Sequence, residues 1–411
     1  MIAPIIGPAI RHAADALGSA ALTESAVVRA LHPLFSRVLQ RKEIYLANHS
    51  LGRPLDQTAD DVREAIDAWY VEMDGAWNLW LREQSTFRHN IASLIGLDRA
   101  DAVVPKTSAG QGLRSVLNAL DNPRVVATRG EFDSIDFILK TYAWKNKAKV
   151  RWVEPAPGRP PRFRAADILQ AIEKESPDLV VVSLVFYATG QVLEDARSVI
   201  AAAHARGALV LLDVYHAAGV IPLDFLSLGA DFAIGGSYKY TRGGAGACWL
   251  AIHPRHLSDN SLRTLDTGWF AKRDTFGFER PEEPLLAPGG DAWLESTFAP
   301  LPLFQARAGL QLVLAVGVDR LRAYSLSQLA LLEAELQRHA VACVRGGPSA
   351  ETSGGYLLLP DPNAPQRCDE LKAAGVNTDA RLGHIRLCPD ILNTGEELSR
   401  AAAIIARVLR G

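Results

Sequence analysis

Cysteine is scarce: the four present, Cys248, Cys343, Cys368 and Cys388, lie far apart and form no CxxC pair. That spacing excludes a disulfide-stapled scaffold and a zinc ribbon, and suits a reducing, cytoplasmic compartment. His253-x-x-His256 comes nearest to a metal motif, but two surface histidines satisfy the same pattern, and no metal is expected. An excess of either charge is also lacking. Lys and Arg number 44 against 46 Asp and Glu, a net −2, and the basic residues form no stripe interleaved with aromatics. Nucleic-acid binding is therefore not expected. The longest apolar runs, residues 179–186 and 208–212, have strand length, so no membrane span is expected. The opening Met1-Ile2-Ala3-Pro4 lacks the basic flank and long apolar core of a secretory signal. No internal repeat or low-complexity segment stands out.

What is present is an ordinary globular composition. At 411 residues, 48% of them hydrophobic and 22% charged, the chain can bury one large core and a smaller second one. Val27, Val28, Leu31, Phe35 and Val38 recur at helical spacing, and Pro33 is expected to kink or divide that helix. A second helix is expected over residues 58–81, with Trp69, Tyr70, Trp77 and Trp80 in core or interface. From residue 102 onward, short apolar runs near 102–104, 125–127, 150–153, 179–186 and 208–212 alternate with helical stretches. Gly207 stands just past the helix 194–205, where glycine commonly ends helices. The alternation predicts an α/β fold with a mostly parallel central sheet flanked by helices. An antiparallel strand over 247–252 follows, then loops rich in Pro and Gly over 263–302 that read as site-building. Two long helices (303–318 and 321–340) lead to a smaller C-terminal α+β domain of strands 355–359 and 384–387 and helices 366–374 and 396–409. The expected organisation is an N-terminal segment, 1–60, packing on the small domain; a large domain, 61–302; and connecting helices with the small domain, 303–411.

Two residues at the ends of apolar runs carry the chemistry. Asp213 closes Ala208-Leu209-Val210-Leu211-Leu212, and Lys239 follows Asp231-Phe232-Ala233-Ile234 within Gly235-Gly236-Ser237-Tyr238-Lys239-Tyr240. Strand ends of one sheet share a rim, where open α/β sheets keep their ligands. A lysine there can form a Schiff base, and a carboxylate there can hold a pyridinium nitrogen protonated; together they describe a pyridoxal phosphate (PLP) site. Singly, a lysine is a surface charge and an aspartate after a strand is a helix cap, although Val214-Tyr215-His216-Ala217-Ala218-Gly219 is a poor helix start. Thr107-Ser108-Ala109-Gly110-Gln111-Gly112 fits a phosphate at a helix N-terminus and equally an ordinary helix cap. Tyr238 and His216 are candidate phosphate or ring contacts, a buried core histidine being the other reading of His216. Phe132, in Gly130-Glu131-Phe132-Asp133-Ser134, suits stacking on a cofactor face or a place in the core. Arg386 in Gly383-His384-Ile385-Arg386-Leu387 suits a substrate carboxylate or a surface salt bridge.

These residues, in this order, resemble the kynureninases, within the class V aminotransferase group of fold type I PLP enzymes. The resemblance spans residues 45–398. Tyr45-Leu46-Ala47-Asn48-His49-Ser50-Leu51-Gly52 is similar to the family's Y-L-x-x-N-S-L-G. Asp213-x-x-His216, Ser237-Tyr238-Lys239-Tyr240 and Gly244-Ala245-Gly246 are similar to its D-x-A-H and S-Y-K-Y…G-x-G segments. Gly268-Trp269-Phe270 matches a G-W-F segment, and Gly375-Val376-x-x-Asp379 through Ile385-Arg386 matches the tail. The resemblance implies PLP as cofactor, Lys239 as the Schiff-base residue and Asp213 as the ring-nitrogen partner. It places Thr107, Ser108, Ser134, His216, Tyr238, Trp269 and Thr297 around the phosphate or ring, Phe132 on the ring face, and Arg386 on the substrate carboxylate. It also implies a homodimer with a shared active site, Trp269 and Thr297 reaching across.

The departures concern the side-chain end of the substrate. His49 stands where the family has asparagine, and Phe298 where it has an asparagine near the substrate's aromatic amine; both are taken as substrate-facing. The family's F-P-S-D acid falls on Ile135, unless Asp136 replaces it through a one-residue shift, and a family arginine appears as Glu295. The expectation is a PLP enzyme acting on a small amino acid, resembling kynureninase in hydrolytic Cβ–Cγ cleavage of a kynurenine-like γ-keto amino acid. The alternative is a class V aminotransferase or β-lyase on a different amino acid. A cysteine desulfurase is disfavoured because no cysteine lies in an evident mobile loop. A non-catalytic PLP-binding module is disfavoured because Lys239 and Asp213 are both present.

Overall fold

The computed structural model describes residues 2–258 and 261–410. In chain order its strands are β1 (Ile44–Tyr45), β2 (Val103–Lys106), β3 (Arg124–Thr128), β4 (Lys149–Val153), β5 (Leu179–Ser183), β6 (Leu209–Asp213), β7 (Phe232–Gly236), β8 (Cys248–Ile252), β9 (Leu357–Pro360), β10 (Val376–Asn377), β11 (Asp379–Arg381) and β12 (His384–Leu387). Seven form the central sheet in the order β2-β8-β7-β6-β5-β3-β4, with β8 alone antiparallel to its neighbours. β5 is buried at every position, as a parallel strand covered by helices on both faces must be. The chain passes from β2 at one edge to β3 and β4 at the other, then returns through β5, β6 and β7. Such a reversal opens a crevice outside the carboxyl ends of the strands. Parallel pairing of Ser183 with Asp213 puts both residues on that rim.

The smaller layer is the antiparallel sheet β11-β12-β9 with helices Ala364–Ala373 and Gly395–Arg410. Its core joins Leu359, Ile385 and Ile405 to Leu329 and Leu336 of the helix Val318–Arg338. β1 adds in parallel to β10, and Ala47 bridges Cys388, which stitches residues 44–47 onto this layer. The helices before them touch both parts: Ile391 and Leu392 join their core, and the Gly395 amide donates to Glu24 Oε2 at 2.7 Å. Ile10 and Phe35 share a core with Ala308 and Leu312, and the Ile5 amide donates to Asn90 Oδ1 at 2.7 Å. The helix Pro300–Val316 likewise sends Leu303, Ala306 and Leu310 into the main core.

Two helical readings meet different outcomes. Pro33 divides its stretch: Glu24–Ala30 ends, a short 3-10 turn spans His32–Phe35, and Ser36–Leu39 resumes. The single helix expected over 58–81 is instead two, Gln57–Glu72 and Ala76–Ile95, separated at Met73, whose φ is +52°. Asp74 and Gly75, weak helix formers side by side, account for the break. The aromatics therefore diverge. Trp69 and Tyr70 remain exposed, whereas Trp77 packs against Trp269, Phe270 and Phe298.

Candidate active site

At the C-terminal rim lies a cavity of about 650 Å³. Its walls include Thr107, Ser108, Phe132, Ser134, Asp213, His216, Tyr238 and Lys239, all named from the sequence. Each arrives from a strand end: Thr107 after β2, Phe132 after β3, Asp213 closing β6, Lys239 after β7. The N-terminal segment presses on the lysine from behind. The Gly52 amide donates to the Tyr238 carbonyl at 2.7 Å, and a side chain at Gly52 would place its Cβ 2.0 Å from the Lys239 carbonyl oxygen. Only glycine fits there, a physical reason for that motif position.

Lys239 is 5% exposed, with Nζ 2.5 Å from His216 Nε2 and 4.5 Å from the centre of the Tyr215 ring. Burial holds the amine well below the ordinary lysine range; Asp213 pulls the other way, and Arg386 adds to the lowering. Asp213 is buried and accepts the Tyr215 amide on Oδ1 at 2.8 Å. Its pKa is raised by burial, against the Tyr215 amide and Lys239. Burial, with Lys239 beside it, keeps His216 neutral. When Lys239 is protonated the imidazole accepts at Nε2 and carries its proton on Nδ1, and Nδ1 is buried with no partner among the described residues. Ser237 Oγ, two residues before the lysine, is likewise buried and unpartnered. Such atoms are rare in folded proteins unless a ligand or water completes them. The residues present therefore fit PLP: Lys239 would carry the covalent link, Asp213 would face the ring nitrogen, Phe132 would cover the ring, and Thr107 with Ser108 would hold the phosphate.

Two of the residues expected to face the substrate, Arg386 and His49, meet at Asp379. Antiparallel pairing sets Arg386 opposite Asp379. Arg386 Nε donates to Asp379 Oδ1 at 2.8 Å, Nη2 donates to Oδ2, and Nη1 reaches the Tyr187 carbonyl at 2.5 Å. At 2% exposure it is not a surface salt bridge. Of its five N–H groups these contacts take three. His49 also bonds Asp379, Nε2 to Oδ1 at 2.9 Å, and lies against the Tyr356 ring at 4.6 Å. Burial, reinforced by Arg386, takes the His49 pKa down to about 4, so the ring is neutral at pH 7.

Neither Arg386 nor His49 belongs to the lining of the large cavity, and further expected residues also land outside it. Trp269 Nε1 donates to Thr297 Oγ1 at 3.1 Å, and Thr297 and Phe298 line a second cavity of about 180 Å³ that also touches Thr107. Glu295 accepts from the buried Lys106 at 2.6 Å and from Gln111 at 2.8 Å, so the reversed charge has its own partner. The one-residue shift to Asp136 fails. Asp136 pairs with Lys140 on the surface at 2.5 Å, Ile135 is buried, and the acid that this segment brings to the cavity is Asp133, which accepts from Tyr187 Oη at 3.1 Å. His256 bonds Asp231 at 2.6 Å, while His253 Nδ1 accepts the Arg255 amide. Among the described residues no group of three or more His, Cys, Asp or Glu side chains could hold a metal ion. Cys248 does border the cavity, but burial raises its pKa and Tyr215 Oη lies 3.5 Å away, a poor setting for a thiolate nucleophile.

Glu131 was not signalled by the sequence. Its carboxyl is buried between Thr128 Oγ1 and Ser183 Oγ, each donating at 2.6 Å, with no ion-pair partner. Burial takes its pKa up to about 7, the two hydroxyls opposing this and Asp213 adding to it. An acid whose folded pKa lies above the unfolded value of about 4.3 contributes stability below that value and loses it as pH rises through the folded one. Glu131→Gln is therefore expected to flatten a fall in melting temperature between pH 4.5 and about 7. Parallel melting curves for the two proteins across that range would contradict the assignment.

The class V aminotransferase family profile matches residues 80–268. A kynureninase from Bacillus thuringiensis subsp. konkukian (strain 97-27) is 28% identical over 397 residues, covering 92% of this chain and 91% of that one. A kynureninase from Salinispora tropica is 30% identical over 305 residues, 70% of each chain. Among solved structures, a cysteine desulfurase from Thermococcus onnurineus NA1 superposes with a TM-score of 0.77 at 16% identity, covering 93% of this chain and 98% of that one, which supports the fold. Fold and site together define a PLP-dependent enzyme of the class V aminotransferase group, built as fold type I. Within that group the chain belongs to the kynureninase family.

Proposed function

We propose that this protein is a PLP-dependent hydrolase of kynureninase type, cleaving the Cβ–Cγ bond of a γ-keto amino acid. One observation carries the reading: the buried residues Lys239, Asp213 and His216 line one cavity, with Arg386 close enough to depress the lysine pKa. Bound PLP supplies an electron sink for negative charge at the substrate's Cα. Lys239, held partly neutral by burial, takes and returns the proton at Cα. Asp213 holds the charge that keeps the sink effective, and His216 orients the lysine amine through its 2.5 Å contact. Arg386 receives the substrate carboxylate, with Asp379 and the neutral His49 keeping the guanidinium in one orientation. Phe298, packed on Trp77 and Phe270, offers no hydrogen bond where the family's asparagine does, and this favours a second reading. In it the same machinery performs transamination or β-elimination on an amino acid with a less polar side chain.

The active form in this reading is a homodimer in the cytoplasm, with Trp269 and Thr297 completing the partner's site. Exposed apolar side chains at Trp69, Tyr70, Val71, Phe276 and Phe278 offer surface for it, and the four cysteines are free. No single helix among the described residues is long and apolar enough to cross a membrane. Incubating sedimentation fractions with kynurenine tests both points. Anthranilate is expected from the dimer-sized fraction; an active monomer refutes the shared site. Absence of anthranilate, with amino-group exchange to a keto acid, moves the assignment to the second reading.

A further inference from the structure

The helix Ala109–Leu117 carries a cation that the motifs do not announce. Arg114 lines the large cavity, and with Lys239 it is one of two cations in that lining. Lys239 is engaged with His216. Arg114 is exposed, and among the described residues no carboxylate forms an ion pair with it.

The ground beside it is shaped for a small anion. A Cβ at Gly110 would lie 3.8 Å from Arg114 Nη1, 3.9 Å from Ser108 Oγ and 2.9 Å from Ile138 Cδ1. The guanidinium and the hydroxyl thus flank the same stretch of backbone, which a side chain at residue 110 would crowd against Ile138. Ser108 Oγ already accepts the Gln111 amide at 3.1 Å, so its own proton is available to donate. The Gln111 amide is spent on Ser108, and helix geometry gives the Gly110 amide, one position earlier, no intrahelical acceptor. Charge decides what else is needed. A phosphate monoester carries roughly −1.5 to −2 at neutral pH, a helix N-terminus offers about +0.5, and hydroxyls offer none. A slot with Ser108 and the helix alone is short of positive charge by about 1 to 1.5 units, and Arg114 is the cation at that end.

We propose that Arg114 is a cofactor-binding residue: its guanidinium, with the Ser108 hydroxyl and the backbone at Gly110, holds the phosphate of PLP. This rests on the PLP reading above. The test compares PLP with pyridoxal, which has the same ring and aldehyde and no phosphate. Cofactor-stripped full-length protein is titrated with each, and dissociation constants are read from the visible band that depends on Lys239. Arg114→Ala is expected to weaken PLP about tenfold to a hundredfold, the worth of a charge-assisted hydrogen bond, and to leave pyridoxal unchanged. Arg114→Lys is expected to recover part of the loss, since it restores the charge without the planar fork. An unchanged PLP constant in Arg114→Ala, or equal weakening of both ligands, overturns the proposal. In either case a wild-type band that needs Lys239 leaves the cofactor reading standing; a wild type lacking that band sinks the cofactor reading itself.

Discussion

Lys239→Ala protein is expected to remain colourless after incubation with PLP and dialysis, where the wild type turns yellow. The amine at position 239 is the only one in the cavity lining, so no neighbouring lysine can replace it. Turnover is expected to fall by more than about a thousandfold, because general acid–base transfer alone contributes roughly 10²–10⁴ and the covalent capture is lost as well. The substitution also removes the donor to His216 Nε2, leaving a second unpartnered ring nitrogen beside the one already there. Circular dichroism that matches the wild type would show the loss to be chemical. A retained visible band, or turnover within tenfold of wild type, would remove Lys239 from the mechanism.

Asp213→Asn is expected to lower kcat by about a hundredfold to a thousandfold at saturating PLP, the range seen when one preorganised electrostatic group is lost. The substitution keeps the shape and the oxygen that accepts the Tyr215 amide, so the strand end need not move. What it removes is the charge. Burial raises the pKa of Asp213 in the protein alone, so ionisation there depends on a cation beside it, which the pyridinium of PLP supplies. An asparagine cannot return that stabilisation. Cofactor affinity is expected to fall less than turnover, since ring and phosphate contacts lie elsewhere in the cavity. Full activity in Asp213→Asn with PLP saturating would remove the electron-sink argument.

Much of this site was legible because apolar runs announce strand ends, and strand ends share a rim. Asp213, Lys239 and Thr107 were found that way, and each lies on the cavity wall. Arg386 was recognisable as a candidate, but its buried pairing with Asp379 depends on the register of two short strands that local sequence does not specify. His49 stood out only as a departure from a motif. Its link to Asp379 follows from parallel addition of β1 to β10, a contact spanning most of the chain. Glu131 and Arg114 gave no signal, because a carboxylate before a helix and an arginine within one are ordinary surface residues until the fold buries the first and turns the second toward a cavity. The break at Met73 was missed because apolar spacing on both sides of it remained helical, and turn chemistry at Asp74-Gly75 prevailed.

Local pattern alone determined the alternating α/β architecture, the chemistry of an amine and a carboxylate on one sheet edge, and hence the kind of cofactor. Those features follow from side-chain periodicity and from covalent reactivity, which need no knowledge of distant residues. Tertiary structure decided the rest: which polar atoms lost their water, which charges found partners, and how far each pKa moved. Burial and pairing are long-range properties, set when distant segments meet, as when Arg386 of β12 reaches the Tyr187 carbonyl just beyond β5.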